Sequence, residues 1–163
     1  MGLEMAVELS PETKKACEEI IRRYPEDKKE AAILPLLHLA QREWGYIPLD
    51  GIRYIADMLQ MPHARAAGVM SFYPMFHKAP VGKYVIYVCS TLSCALCGAE
   101  AVVDHLKDKL RIDVGETTED GRFTLAKVEC IAACDGAPAI LINEKLYRHV
   151  TREKLDEILD GLE

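Results

Sequence analysis

The chain has 163 residues, half of them apolar and 28% charged, with a formal net charge of −6. That length holds one domain or two small ones, and the mixture is that of a globular chain rather than a disordered or fibrous one. The acidic balance, with no basic block, excludes a nucleic-acid surface and an anchor for acidic membranes.

The longest apolar run, Ala31 to Leu37, contains a proline and falls far short of the ~18–20 residues of a membrane span, so no direct membrane insertion is expected. The N-terminal residues show no charged segment followed by an apolar core, and Ala6 stands where a myristoylation signal requires Ser or Thr. Secretion is therefore not expected. In that setting the six cysteines read as metal ligands in preference to disulfides.

Ser10-Pro11-Glu12 opens the first predicted helix, with a capping serine, proline at the first helical position and an early acid. Cys17, Ile20, Ile21 and Tyr24 form its apolar stripe, and Pro25 ends it. A second helix is predicted from Lys28 to Trp44, where Pro35 demands a kink or a late start, and Gly45 stops it. Ile52, Ile55, Ala56 and Leu59 mark a third helix. Met61-Pro62 breaks it and starts a short fourth, through about Met70. Ser71 to Gly82, with Pro74 and Pro80, reads as a connector between a helical bundle over residues 1–80 and a second domain over 81–163.

In the second domain, Tyr84 to Val88 reads as a strand ending at Cys89. Ala99, Val102, Val103, Leu106 and Leu110 predict a helix, Ile112 to Val114 a short extended piece, and Arg122 to Val128 a strand after the Asp120-Gly121 turn. Ala139 to Ile142 and Lys145 to Tyr147 pair across Asn143-Glu144, and Thr151 caps a last helix carrying Leu155, Ile158, Leu159 and Leu162. Strand, helix, strand, hairpin, helix is the order of a thioredoxin-like layer, so the fold class is α+β.

Four thiols in two tight pairs dominate the chemistry: Cys89 and Cys94 with four residues between them, Cys130 and Cys134 with three. A soluble metal site needs about four anionic or imidazole ligands from different parts of a fold, which two local pairs provide. The four read as one metal site with a binuclear iron–sulfur cluster as favoured occupant, and structural zinc fits the same spacing. Cys94-Ala95-Leu96-Cys97 also has the spacing of a redox dithiol, which leaves Cys89, Cys130 and Cys134 unexplained. Cys97 is expected in the first turn of a helix, its side chain turned away from the site. Small or hydroxylated residues between the thiols (Ser90, Thr91, Ser93, Ala132, Ala133, Gly136) let backbone N–H groups approach the sulfurs, while Leu92, Ile131 and Pro138 are expected to exclude water. His38, His63, His77, His105 and His149 lack ligand spacing, Cys17 reads as a core residue, and no phosphate-cradling glycine motif is present.

Cys-x4-Cys after a strand, then Cys-x3-Cys followed by Asp135-Gly136-Ala137-Pro138, resembles the thioredoxin-like [2Fe–2S] ferredoxins. With Gly45-Tyr46-Ile47-Pro48 and Gly68-Val69-Met70-Ser71-Phe72-Tyr73, the pattern is similar to one branch of that family, the NuoE-type small iron–sulfur subunits of NADH–quinone oxidoreductase. The resemblance implies one [2Fe–2S] cluster on Cys89, Cys94, Cys130 and Cys134, exchanging single electrons with FMN on a partner subunit that binds FMN and NADH (NuoF-like). It also implies a cytoplasmic place on the peripheral arm of a membrane-associated complex, beside other peripheral-arm subunits, and no complete active site on this chain alone. Equivalent subunits of NAD-linked hydrogenases and formate dehydrogenases share the pattern. A zinc-stapled assembly module without redox role is the non-enzymatic alternative.

Overall fold

The computed structural model describes residues 7–162, which fall into two compact units divided between Pro80 and Val81, each with its own core. In the first, Pro11–Ile21 forms α1, and the Ser10 hydroxyl accepts the Thr13 N–H at 3.2 Å as its cap. A 3₁₀ segment, Glu26–Ala32, is interrupted by the non-helical Lys28, and α2 begins only at Ile33 and runs to Trp44. The late start is the physical answer to Pro35, because at the third helical position its missing N–H would have had no intrahelical partner anyway. Gly45 ends α2 at φ 79°, in the left-handed region that glycine tolerates best.

Leu49–Met58 forms α3 and His63–Phe72 forms α4, two residues longer than the sequence predicts. Leu36, Leu37, Ile47, Ile55 and Met70 are fully buried together with Cys17. The segment after α4 is tied down by Gln41 on α2: its Nε2 donates to Met75 O at 2.8 Å and its Oε1 accepts the His77 N–H at 2.7 Å. Proline-rich composition there signals a chain without helix, and side-chain bonds give that chain its place.

The second unit is a four-stranded mixed sheet in the order β2-β1-β3-β4. Its strands are β1 (Tyr84–Cys89), β2 (Phe123–Val128), β3 (Ile140–Ile142) and β4 (Lys145–Tyr147). β1 pairs parallel with β2 and antiparallel with β3, and β3–β4 is a hairpin. A parallel pair needs a crossover, provided by α5 (Leu92–Leu96) and α6 (Ala99–Leu110). The hairpin turns at Asn143, φ 52°, whose side chain accepts the Val85 N–H and donates to Lys83 O, binding the turn to the start of β1. Thr151 caps α7 (Arg152–Asp160) through the Lys154 N–H. The core gathers Ile86, Val88, Leu106, Leu125, Ile140 and Leu155.

Two local expectations differ from the fold. Ile112–Val114, expected as a short extended piece, joins no strand and runs into a turn at Val114 and Gly115; Gly115, Glu116 and Thr118 make the hydrogen bonds along β2. The sequence pattern does not announce α5 as a separate helix. Its five residues are too short for periodicity to show, and Gly98 at φ 93° divides it from α6. Among the described residues no helix is long and apolar enough to cross a membrane.

Candidate metal centre

Because β1 and β2 are parallel neighbours, with Cys89 opposite Val128, the chain leaves both strands at the same edge of the sheet. The Ser90 N–H and hydroxyl both donate to Val128 O at 2.9 Å, lashing the two exits together. Cys89 is the last residue of β1, and its N–H donates to Ala139 O at 3.2 Å. Cys94 lies within α5. Both thiols are part of the core, 3% and 2% exposed, beside Ala99, Ala133 and Ala139.

The second pair stands on the loop after β2. Cys130 and Cys134 are both exposed, whereas Ala133 between them is buried and roots the loop in the core. Ala132 takes φ 58° and points its N–H at the Cys130 sulfur, 3.3 Å away. Cys134 opens a 3₁₀ turn through the buried Gly136, and a Cβ on that glycine would meet the Arg148 side chain at 2.5 Å.

The sulfurs sense one another. Burial pushes the Cys89 thiol up, but N–H donors from Thr91 and Ile131, with help from the Cys94 thiol and the Thr91 hydroxyl, hold it below the ordinary thiol range. Burial also pushes Cys94 up; the Ala139 N–H offsets part of this, while the Cys89 and Cys134 sulfurs add to the rise. The Ile131 donor belongs to the second loop and serves the first pair, so the two loops form one environment. N–H donors aimed at sulfur favour the thiolate, the form that binds metal.

Among the described residues no group of three or more His, Cys, Asp or Glu side chains is placed to hold a metal ion. A binuclear cluster asks two thiolates of each iron, an arrangement of two pairs. Cys97, expected in the first turn of a helix, instead caps the C-terminal end of α5; it is exposed, and its N–H donates to Ser93 O at 3.1 Å. Leu92, expected to exclude water, is 70% exposed and does not cover the site within this chain; Ile131 packs partly on the core. Of the histidines, His63 meets Asp57 and His105 meets Asp156. Sequence reasoning does not find Arg148, whose place against Gly136 no linear pattern announces.

The family model of the thioredoxin-like [2Fe–2S] ferredoxins matches residues 17–163. The chain belongs to this family. Among curated proteins, the E subunit of NADH-quinone oxidoreductase from Rickettsia felis is 46% identical over 144 residues, covering 88% of this chain and 86% of the relative. Its counterpart of the same name from Rickettsia conorii is 46% identical over 147 residues, covering 90% and 88%. Among solved structures, the NAD+-reducing [NiFe]-hydrogenase in the air-oxidized state superposes with a TM-score of 0.69 over 78% of this chain, at 24% identity. The match spans 22% of that longer chain, so the likeness is one of fold. Within the thioredoxin-like ferredoxin architecture, the sheet edge holding Cys89, Cys94, Cys130 and Cys134 is the candidate cluster site.

Proposed function

We propose that this chain is the electron-transfer subunit of an NADH–quinone oxidoreductase, in which Cys89, Cys94, Cys130 and Cys134 hold one [2Fe–2S] cluster that exchanges single electrons with FMN on a partner NADH-binding subunit. The observation that supports this best is the arrival of both thiol pairs at one sheet edge, in a chain that matches these Rickettsia relatives along nearly its whole length.

The donor set fits such a cluster. Cys89 and Cys94 sit on a strand end and a helix backed by the core, a placement that fixes two ligands before metal arrives. Cys130 and Cys134 lie outermost, on the side from which a partner's cofactor can approach. N–H groups of Thr91, Ile131 and Ala132 point at sulfur, where they offset the negative charge that thiolates and sulfides concentrate. In this reading the helical unit supplies the larger docking surface for the flavin-binding subunit, and the complex occupies a peripheral arm on the cytoplasmic side of the membrane.

Iron and acid-labile sulfide analysis of anaerobically purified protein tests the cofactor. We expect about two of each per chain and a rhombic paramagnetic signal after reduction. Stoichiometric zinc without sulfide, in cells replete with iron, would sink the electron-transfer reading. Chains that co-purify identify the complex: a quinone-linked assembly is expected, and hydrogenase or formate dehydrogenase subunits would redirect the assignment.

A further inference from the structure

The connector between β4 and α7 meets the second thiol loop at three successive residues. Arg148 Nη1 donates to Asp135 Oδ2 at 2.7 Å. The stem of the same side chain fills the space beside Gly136, with Arg148 Cβ, Cγ and Cδ 2.5, 2.7 and 2.8 Å from where a glycine-borne Cβ would stand. His149 N–H donates to Gly136 O at 2.6 Å, and Val150 N–H to Pro138 O at 3.0 Å. Behind the connector, Lys154 Nζ on α7 donates to Arg148 O at 2.5 Å. Val150 is buried in the core, so the connector has a rigid base.

The loop it grips needs such a grip. Cys130, Ala132, Cys134 and Asp135 are all exposed, and from Cys130 to Gly136 only Ala133 and Gly136 are buried. Gly136 is buried by Arg148 itself. Charge adds a second consequence. A site of four thiolates and two sulfides is negative and accepts an electron less readily as neighbouring negative charge increases. Asp135 puts a carboxylate next to a ligand in sequence, and the Arg148 guanidinium is bonded directly to it.

We infer that Arg148 is a positioning residue for the second ligand pair: its stem and the following two N–H groups clamp the Cys134–Pro138 segment, and its guanidinium neutralises Asp135 beside the site. The charge half of this inference rests on the proposed [2Fe–2S] reading; the clamp does not.

Four full-length variants test it: Arg148→Ala, Arg148→Lys, Gly136→Ala and the double variant Asp135→Asn/Arg148→Gln. Amide hydrogen exchange on cluster-free protein reads the clamp without any metal. Iron release to a chelator and the reduction potential read it in loaded protein. Arg148→Ala should speed exchange of the His149 and Val150 amides several-fold, speed iron release, and make the potential more negative because Asp135 is left unpaired. Gly136→Ala drives the Arg148 stem aside without removing charge, so exchange and iron release should quicken. Arg148→Lys keeps the aliphatic stem and the positive charge, so its exchange and potential should both stay near wild type. The double variant should return the potential toward wild type while still losing iron quickly.

Unchanged exchange in both Arg148→Ala and Gly136→Ala would overturn the clamp. A double variant whose potential stays as negative as that of Arg148→Ala would overturn the charge role. Wild-type protein that binds no iron refutes the cluster reading and its charge half, and the exchange result then decides the clamp alone.

Discussion

Cys89 and Cys94 are held by a strand, a helix and the core beneath them, whereas Cys130 and Cys134 stand exposed on a loop rooted by Ala133 and gripped from one side by Arg148. The first pair shares the stability of the whole unit, because displacing it means disturbing Ile86, Val88 and Ile140. The second pair depends on a few hydrogen bonds and on close backbone approach at Gly136, interactions that open locally at lower cost. The first pair is thus held by the core of the unit, and the second by local contacts made to its loop.

Removing a thiol of the proposed ligand set is the largest intervention, and it tests whether both pairs are equally indispensable. Cys89→Ser and Cys134→Ser should each lose the cluster or perturb its spectrum strongly, since a hydroxyl or water replaces a thiolate. Iron analysis and paramagnetic resonance check this, and a Cys134→Ser protein with full iron and an unchanged signal would remove that residue from the ligand set. Alkylation of cluster-free protein addresses the contrast in exposure directly. Cys97, Cys130 and Cys134 should be labelled quickly at neutral pH, and Cys17, Cys89 and Cys94 only through opening of the fold. Peptide mapping that found Cys94 labelled as fast as Cys130 would erase the distinction.

A core substitution sharpens the same contrast energetically. Leu125 on β2 is fully buried, so Leu125→Ala should cost about 2–5 kcal/mol in denaturant unfolding. Ile131→Ala, on the half-buried loop residue, should cost only about 1 kcal/mol but speed iron loss. Cys17 is a buried thiol outside both pairs and acts as an internal reference. Burial, then the charges of Glu43 and Glu18, push it up from 9.0 to about 11. Between those values the folded state keeps a proton that the unfolded state loses, so stability must fall as pH rises through that window. The loss amounts to at most about 3 kcal/mol and should be missing from the pH dependence of Cys17→Ala. The smallest effect belongs to Cys97→Ser, at an exposed position at the end of α5. It should keep the cluster and its spectrum and change stability by no more than about 0.5 kcal/mol. Loss of iron from that variant would make Cys97 a ligand and redraw both pairs.

The features readable in the sequence are those that short stretches of chain decide by themselves. Ser10 and Thr151 cap helices because a side-chain oxygen reaches an N–H three residues on. Pro35 delays α2 and Gly45 ends it through their own backbone limits. The periodicities of α3 and α6 match the buried Ile52, Ile55, Val102 and Leu106 because burial repeats with the turn of the helix. The thiol pairs and the Asn143-Glu144 turn are local in the same sense. Tertiary structure decided what depends on distant partners. The register of β1 against β2 brings the two pairs to one edge, and the core claims Cys89 and Cys94 while leaving Cys130, Cys134 and Leu92 exposed. The edge of β2 finds its hydrogen-bond partners at Gly115, Glu116 and Thr118. Gly136 is a glycine because Arg148, on the far side of the β3–β4 hairpin, occupies the space of its missing side chain. Spacing along a chain specifies which atoms are available for chemistry; packing between segments specifies which of them are held still, shielded or charged.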